Sequence, residues 1–209
     1  MLRELRRAGI NENIGNINAV NELMATGQLM AYTRKHGNQG SKSIYGENII
    51  DSNDKLKEVL DSRDKLEAMY TNLEEAAGDE LEEAIESSLT GTAEDPVDYD
   101  TFEELRISNR QIRYISNLAR RNDYRVPYVK NGQAGLINLT FVADDNDKGK
   151  ISIKMNTASW GELSVEAKVT QSDVSMYVKQ DSRIVLSEDR SIYKYFQQIE
   201  GDLKEQFGY

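Results

Sequence analysis

The chain has 209 residues, of which 38% are hydrophobic and 30% charged, and its net charge is −10. This is room for one domain or two small ones at roughly 100–200 residues each, in a chain more polar than a compact globule usually is. The absence of cysteine excludes disulfides, thiolate metal sites and cysteine nucleophiles. No apolar run approaches the ~18 residues of a membrane span and the N-terminus has no apolar signal core, so membrane insertion is not expected and a cytoplasmic location is. The acidity is concentrated. Residues 51–100 hold four Lys/Arg against seventeen Asp/Glu, a net of −13, whereas residues 101–209 hold sixteen against fifteen. Phosphate binding needs a concentration of Lys and Arg, so nucleic acid is not the expected partner.

Residues 1–35 read as a helical region, with Ile17, Val20, Leu23, Met24, Leu29 and Met30 recurring on one face and Gly27 as a weak point. Residues 36–52 read as a polar linker. Its Gly40-Ser41-Lys42-Ser43 lacks the adjacent Gly-Lys of a phosphate loop, and no strand precedes it. The single histidine, His36, has no nucleophile or orienting acid placed near it by any motif and reads as inert.

Residues 53–100 form an acidic helical region and a boundary loop. One helix is expected from Asn53 to about Thr90, with a narrow stripe of Leu56, Val59, Leu66, Tyr70 and Leu73 that Arg63 interrupts. The hexamer Asp-Ser-x-Asp-Lys-Leu occurs at Asp51 and again at Asp61. A ten-residue offset returns to a different helix face, so the repetition reads as sequence drift rather than a structural repeat. Glu80, Glu82, Glu83 and Glu86 read as a solvated face, and Gly91 and Pro96 mark the boundary.

Residues 101–209 read as an α+β domain. Thr101-Phe102-Glu103-Glu104 is a capping box. It opens an amphipathic helix with Leu105, Ile112, Ile115 and Ala119 on one side and Arg106, Arg110, Arg113 and Arg120 on the other. The arginine stripe can be a docking face for an acidic partner; the plainer reading is a solvated face, or an arm lying on the chain's own acidic segment. A first strand follows over 124–130, kept at a sheet edge by Pro127, and Asn131-Gly132 is a tight-turn signal. Apolar residues then alternate with polar ones in three runs: Ile137, Leu139, Phe141; Ile151, Ile153, Met155; and Leu163, Val165, Ala167, Val169. Val174, Met176 and Val178 continue the pattern on even numbers. Ile192, Phe196, Ile199, Leu203 and Phe207 close the chain at helical spacing. The expected architecture is a helical, acidic N-terminal half followed by about four to five mostly antiparallel strands covered by amphipathic helices.

No catalytic, cofactor or metal chemistry is expected. The loop from Asp144 to Gly149 fails as a calcium loop, because Lys148 and Met155 stand where acidic or amide ligands are needed; it reads as a hairpin loop. Carboxylates are too common to single out an acid/base pair. Trp160 reads as a turn anchor or as a partner contact, and Tyr177, Tyr193 and Tyr195 as a possible recognition patch.

Residues 134–141 (AGLINLTF), 148–155 (KGKISIKM), 159–167 (SWGELSVEA) and 174–178, with the helix ending Phe207-Gly208-Tyr209, resemble the C-terminal domain of flagellar hook-length control proteins. In that family a Leu-Gly dipeptide precedes an alternating strand and a helix ends in a glycine. Trp160-Gly161 stands at the first position and Phe207-Gly208 at the second, with Trp replacing Leu. The family continues into one more strand beyond the position of Tyr209, so a missing last strand is one expectation. Residues 8–10, 16–20 and 23–24 are similar to the helical region of a divergent group of flagellum-associated proteins from Gram-positive anaerobes. The resemblance implies a non-enzymatic regulator of flagellar assembly, without cofactor or small-molecule substrate. Its C-terminal domain would bind the cytoplasmic domain of the export-gate switch protein and change which substrates are exported. It would be cytoplasmic, or itself exported through the flagellar apparatus, and its short helix-rich N-terminal half does not suit a measuring role. The candidate partner-binding residues are Trp160, Gly161, Tyr177, Tyr193, Tyr195, Arg106, Arg110 and Arg113. The alternative is a cytoplasmic adaptor unrelated to flagella that uses its acidic and arginine-striped helices.

Overall fold

A computed structural model describes residues 1–33, 50–90, 98–130, 133–144, 148–157, 161–170 and 174–180. Among them are six helices and one five-stranded antiparallel sheet, an α+β fold. The helices are α1 (Leu2–Ala8), α2 (Ile14–Thr26), α3 (Met30–Thr33), α4 (Asn53–Leu60), α5 (Arg63–Thr90) and α6 (Tyr99–Ala119). Gly27, expected as a weak point, is the stop of α2. It takes φ 67°, ψ 19°, a left-handed cap that costs glycine nothing because it has no Cβ.

The single helix expected from Asn53 is instead two, broken at Asp61-Ser62. The repeated hexamer is the cause. Ser52 Oγ accepts from the Lys55 amide at 3.3 Å, and Ser62 Oγ accepts from the Lys65 amide at 3.2 Å. Asp51 pairs with Lys55 at 3.1 Å and Asp61 with Lys65 at 3.0 Å. Both copies therefore build the same N-terminal cap, each hydroxyl satisfying an amide that the helix leaves without a partner. The ten-residue offset is one short helix plus its cap, not drift.

The start of α6 also differs from expectation. Asp98 is its N-cap and accepts from the Thr101 amide at 2.7 Å, so the helix begins at Tyr99 rather than after Thr101. A carboxylate at this position satisfies the amide and complements the positive end of the helix dipole. The expected stripe of Leu105, Ile112, Ile115 and Ala119 is buried. Through it α6 packs on α1, α2, α3, α5 and the first strand, at the centre of the molecule. Gln111, fully buried on the same helix, donates from Nε2 to the Ala19 carbonyl at 3.1 Å and accepts from the Met30 amide at 2.8 Å. One polar side chain thereby laces α2 and α3 to α6.

The strands are β1 (Asp123–Lys130), β2 (Gln133–Asp144), β3 (Lys148–Thr157), β4 (Gly161–Val169) and β5 (Val174–Gln180), paired in sequence order as a meander. Asn122, at φ 61°, turns the chain from α6 into β1, a conformation its short polar side chain tolerates. The register aligns Tyr124, Leu139, Ile153, Val165 and Val178 in one row across the sheet. This row accounts for the change from odd to even apolar positions in β5. Tyr124, Val126, Ile137 and Leu139 are buried in the same core as Leu5, Val20, Leu66, Leu73 and Ile115. Ile153 and Met155 of β3 are only partly buried against it, and Met176 of β5 is 38% exposed, so burial on this face declines from β1 outward. The linker with His36, the boundary loop at 91–97, the Asn131-Gly132 turn, residues 145–147 of the Asp-rich loop and the closing helix at 192–207 lie outside the described residues.

Candidate functional site

The alternation that buries one face of the sheet sends its other residues to the opposite face, and the register decides which of them meet. One row there reads Asp123, Thr140, Ser152, Glu166, Tyr177. The next reads Arg125, Asn138, Lys154, Ser164, Lys179, and a third Val142, Lys150, Lys168, Ser175. Five cations (Arg125, Lys150, Lys154, Lys168 and Lys179) therefore share a surface with the acids Asp123, Glu162 and Glu166. In a chain of net charge −10 this is a local reversal of sign. Lys150 Nζ lies 3.0 Å from Glu166 Oε2. That ammonium, with Lys168 and Lys154 farther off, holds the Glu166 carboxyl below the usual carboxylate range. Tyr177, 71% exposed, stands beside Glu166 on β5.

At the β1 end of this face α1 comes down onto the sheet. Arg7 Nη2 reaches Asp123 Oδ2 at 2.6 Å, and Arg125 Nε lies 3.6 Å from Asp123 Oδ1. The Asp123 side chain is only 5% exposed, so a buried carboxylate is held between two guanidinium groups. Arg125 also donates from Nη1 to Asn138 Oδ1 at 2.8 Å, which fixes its plane. A groove of about 410 Å³ opens between Arg7, these β1 and β2 residues, and Lys150, Ser152 and Lys154 of β3. Among the described residues no group of three or more His, Asp or Glu stands close enough to hold a metal ion, and no helix is long and apolar enough to cross a membrane.

The residues singled out in the sequence are not brought together. Tyr177 belongs to the basic face. Gly161, at φ 66°, opens β4 and pairs with Thr157, five residues along the strand from the partner of Tyr177. The arginines of α6 are not among the residues that form that face. Arg106 pairs with Glu103 one turn away, Arg110 closes over Gly15 of α2, and Arg113 is exposed. Arg120 Nη2 reaches Glu74 Oε2 of the acidic α5 at 2.8 Å. Part of the stripe thus serves contacts within the chain, including one to its own acidic segment. Trp160, Tyr193 and Tyr195 lie outside the described residues. The basic face was missed because its lysines are spread over three strands and only the register collects them. Arg7 and Asp123 are 116 positions apart and share no motif.

The class these observations define is an α+β protein whose meander sheet packs one face against the helical core near β1 and carries a basic surface on the other, which α1 reaches at its β1 end. No family model, curated protein or solved structure matches the chain.

Proposed function

We propose that this is a non-enzymatic protein-binding module that docks an acidic protein surface on β4 and β5. The observation that carries this reading is the basic sheet face with exposed Tyr177 at its outer strand, on a chain that is otherwise acidic. Complementary charge steers association and fixes orientation, and tyrosine supplies amphipathic contact area. The resemblance of residues 134–178 to the hook-length control domain supplies the partner: the cytoplasmic domain of the flagellar export-gate switch protein. The protein is then a cytoplasmic regulator of export specificity. Calorimetry on the full chain and that domain tests the reading. Saturable binding should weaken as salt rises, because exposed charge contacts screen over about 10 Å at 0.1 M. Lys168→Glu with Lys179→Glu should weaken it further, by about tenfold if the two charges contribute ~1.4 kcal/mol together. Absence of binding by the folded chain refutes the flagellar assignment, and binding indifferent to both lysines refutes the docking face.

A second reading rests on α5. Its distal turns expose Ile85 (40%) and Leu89 (80%) among Glu82, Glu83 and Glu86. Residues four apart share a helix face, so these two form an apolar anchor pair with an acidic surround. That arrangement suits an adaptor that pairs with a basic amphipathic helix. Ile85→Ser with Leu89→Ser abolishes partner binding on this reading and leaves it intact on the first.

A further inference from the structure

The groove beside α1 has a chemistry distinct from the open face next to it. Four cations reach it from three elements: Arg7, Arg125, Lys150 and Lys154. Two carboxylates offset them, Asp123 between the arginines and Glu166 on Lys150, which leaves a surplus of two positive charges. Arg125 Nε and Asp123 Oδ2 are both buried without a hydrogen bond, held only in the Arg7–Asp123–Arg125 ion pairs, so Arg125 faces the groove with the rest of its guanidinium. Asn138 accepts from Arg125 through its carbonyl, and its side-chain amide adds an N–H pair to the lining. Thr140 and Ser152 stand opposite one another in the register and add two hydroxyl donors. The lining is therefore rich in donors and poor in acceptors, and its volume of about 410 Å³ falls within the range of roughly 300–1,000 Å³ typical of small-ligand sites.

The complementary ligand accepts hydrogen bonds through several oxygens, donates none and carries about two negative charges. A carboxylate has one charge and two oxygens, and a phosphodiester has one charge. A phosphate monoester carries about −1.5 to −2 at neutral pH on three terminal oxygens. We propose that this groove binds a phosphate monoester dianion, with the guanidinium groups of Arg7 and Arg125 fixing its orientation and Lys150 and Lys154 closing on it as mobile charges. The site is independent of the partner proposed above, which uses Lys168, Tyr177 and Lys179.

Calorimetry on the full chain at low ionic strength tests it, with inorganic phosphate, phosphoserine, adenosine monophosphate and succinate as probes. Phosphate should bind saturably, and the affinity should fall at least about tenfold in the Lys150→Ala, Lys154→Ala double variant, the scale on which charge-assisted contacts act. It should stay unchanged in Lys168→Ala, Lys179→Ala. Phosphoserine binding should weaken as the pH drops below about 6, where the second proton of a phosphate monoester returns. Phosphoserine tighter than inorganic phosphate identifies a modified protein as the source, and adenosine monophosphate tighter than both identifies a nucleotide; either supports the site. No saturable phosphate binding, equal loss in both double variants, or succinate binding as tightly as phosphate overturns the proposal. Both lysine pairs reach solvent, so far-ultraviolet circular dichroism should show all variants folded.

Discussion

Gln111 gives the sharpest test of how the helical layer is held. It is 0% exposed and spans three helices, accepting from the Met30 amide and donating to the Ala19 carbonyl. Gln111→Met keeps the length and nearly the volume of the side chain, so the cavity cost is small. What it removes is two buried hydrogen bonds, each contributing about 1 kcal/mol net. The expected loss is therefore about 2 kcal/mol, or about 6 °C in Tm for a chain of this size. Gln111→Glu keeps the acceptor for Met30 but loses the donor and buries a charge. It should be worse than methionine at neutral pH, and should recover part of the loss as the pH falls and the carboxyl takes up a proton. Urea unfolding of the three proteins, followed by circular dichroism, measures both effects. A methionine variant within about 0.5 kcal/mol of the parent would refute the claim that this side chain laces α2 and α3 to α6, since two lost bonds exceed that margin.

Three further outcomes follow from particular contacts. Ser62→Ala removes the cap of α5 and should cost about 1 kcal/mol in the same assay. Gly135→Ala should cost about 1–3 kcal/mol, because its new Cβ would lie 2.8 Å from the Tyr128 ring directly across the β1–β2 pair. Burial raises the hydroxyl of Tyr70, and burial with nearby Glu4 pushes that of Tyr114 up to about 12. The Tyr70 hydroxyl is buried without a hydrogen bond, the Arg125 backbone lying alongside but outside bonding geometry. In the unfolded chain both tyrosines ionise near pH 10. Their stabilisation is thus fully present below about pH 10 and is lost as the pH rises from there through the folded-state value, near 12 for Tyr114. Urea midpoints against pH should fall only in this alkaline range, with tyrosinate absorbance rising on unfolding, and Tyr70→Phe should flatten the fall.

The strands were legible because alternation is a local signal. Ile137 to Met155 could be placed on one face without knowing any partner. Helix faces were legible for the same reason, as Leu105, Ile112 and Ile115 show. The break at Asp61-Ser62 was hidden because the apolar stripe of Leu56, Val59 and Leu66 runs through it, although the repeated Asp-Ser-x-Asp-Lys-Leu carried the cap chemistry in plain view. The basic face could not be read at all from charge counts. Residues 101–209 are nearly neutral in sum, and the separation of sign arises only when the pleat and the register place Lys154, Lys168 and Lys179 together. The same holds for the Arg7–Asp123–Arg125 contact, which depends on α1 meeting a strand more than a hundred residues away.

The docking face is tested most directly by NMR of the full chain with its lysines carrying carbon-13 methyl labels, titrated with the export-gate cytoplasmic domain. Lys168 and Lys179 should shift and saturate together while Lys55, Lys57 and Lys65, on the acidic helices α4 and α5, stay in place. Shifts confined to Lys55, Lys57 and Lys65, with Lys168 and Lys179 unmoved, would contradict it and put the working surface on the helices.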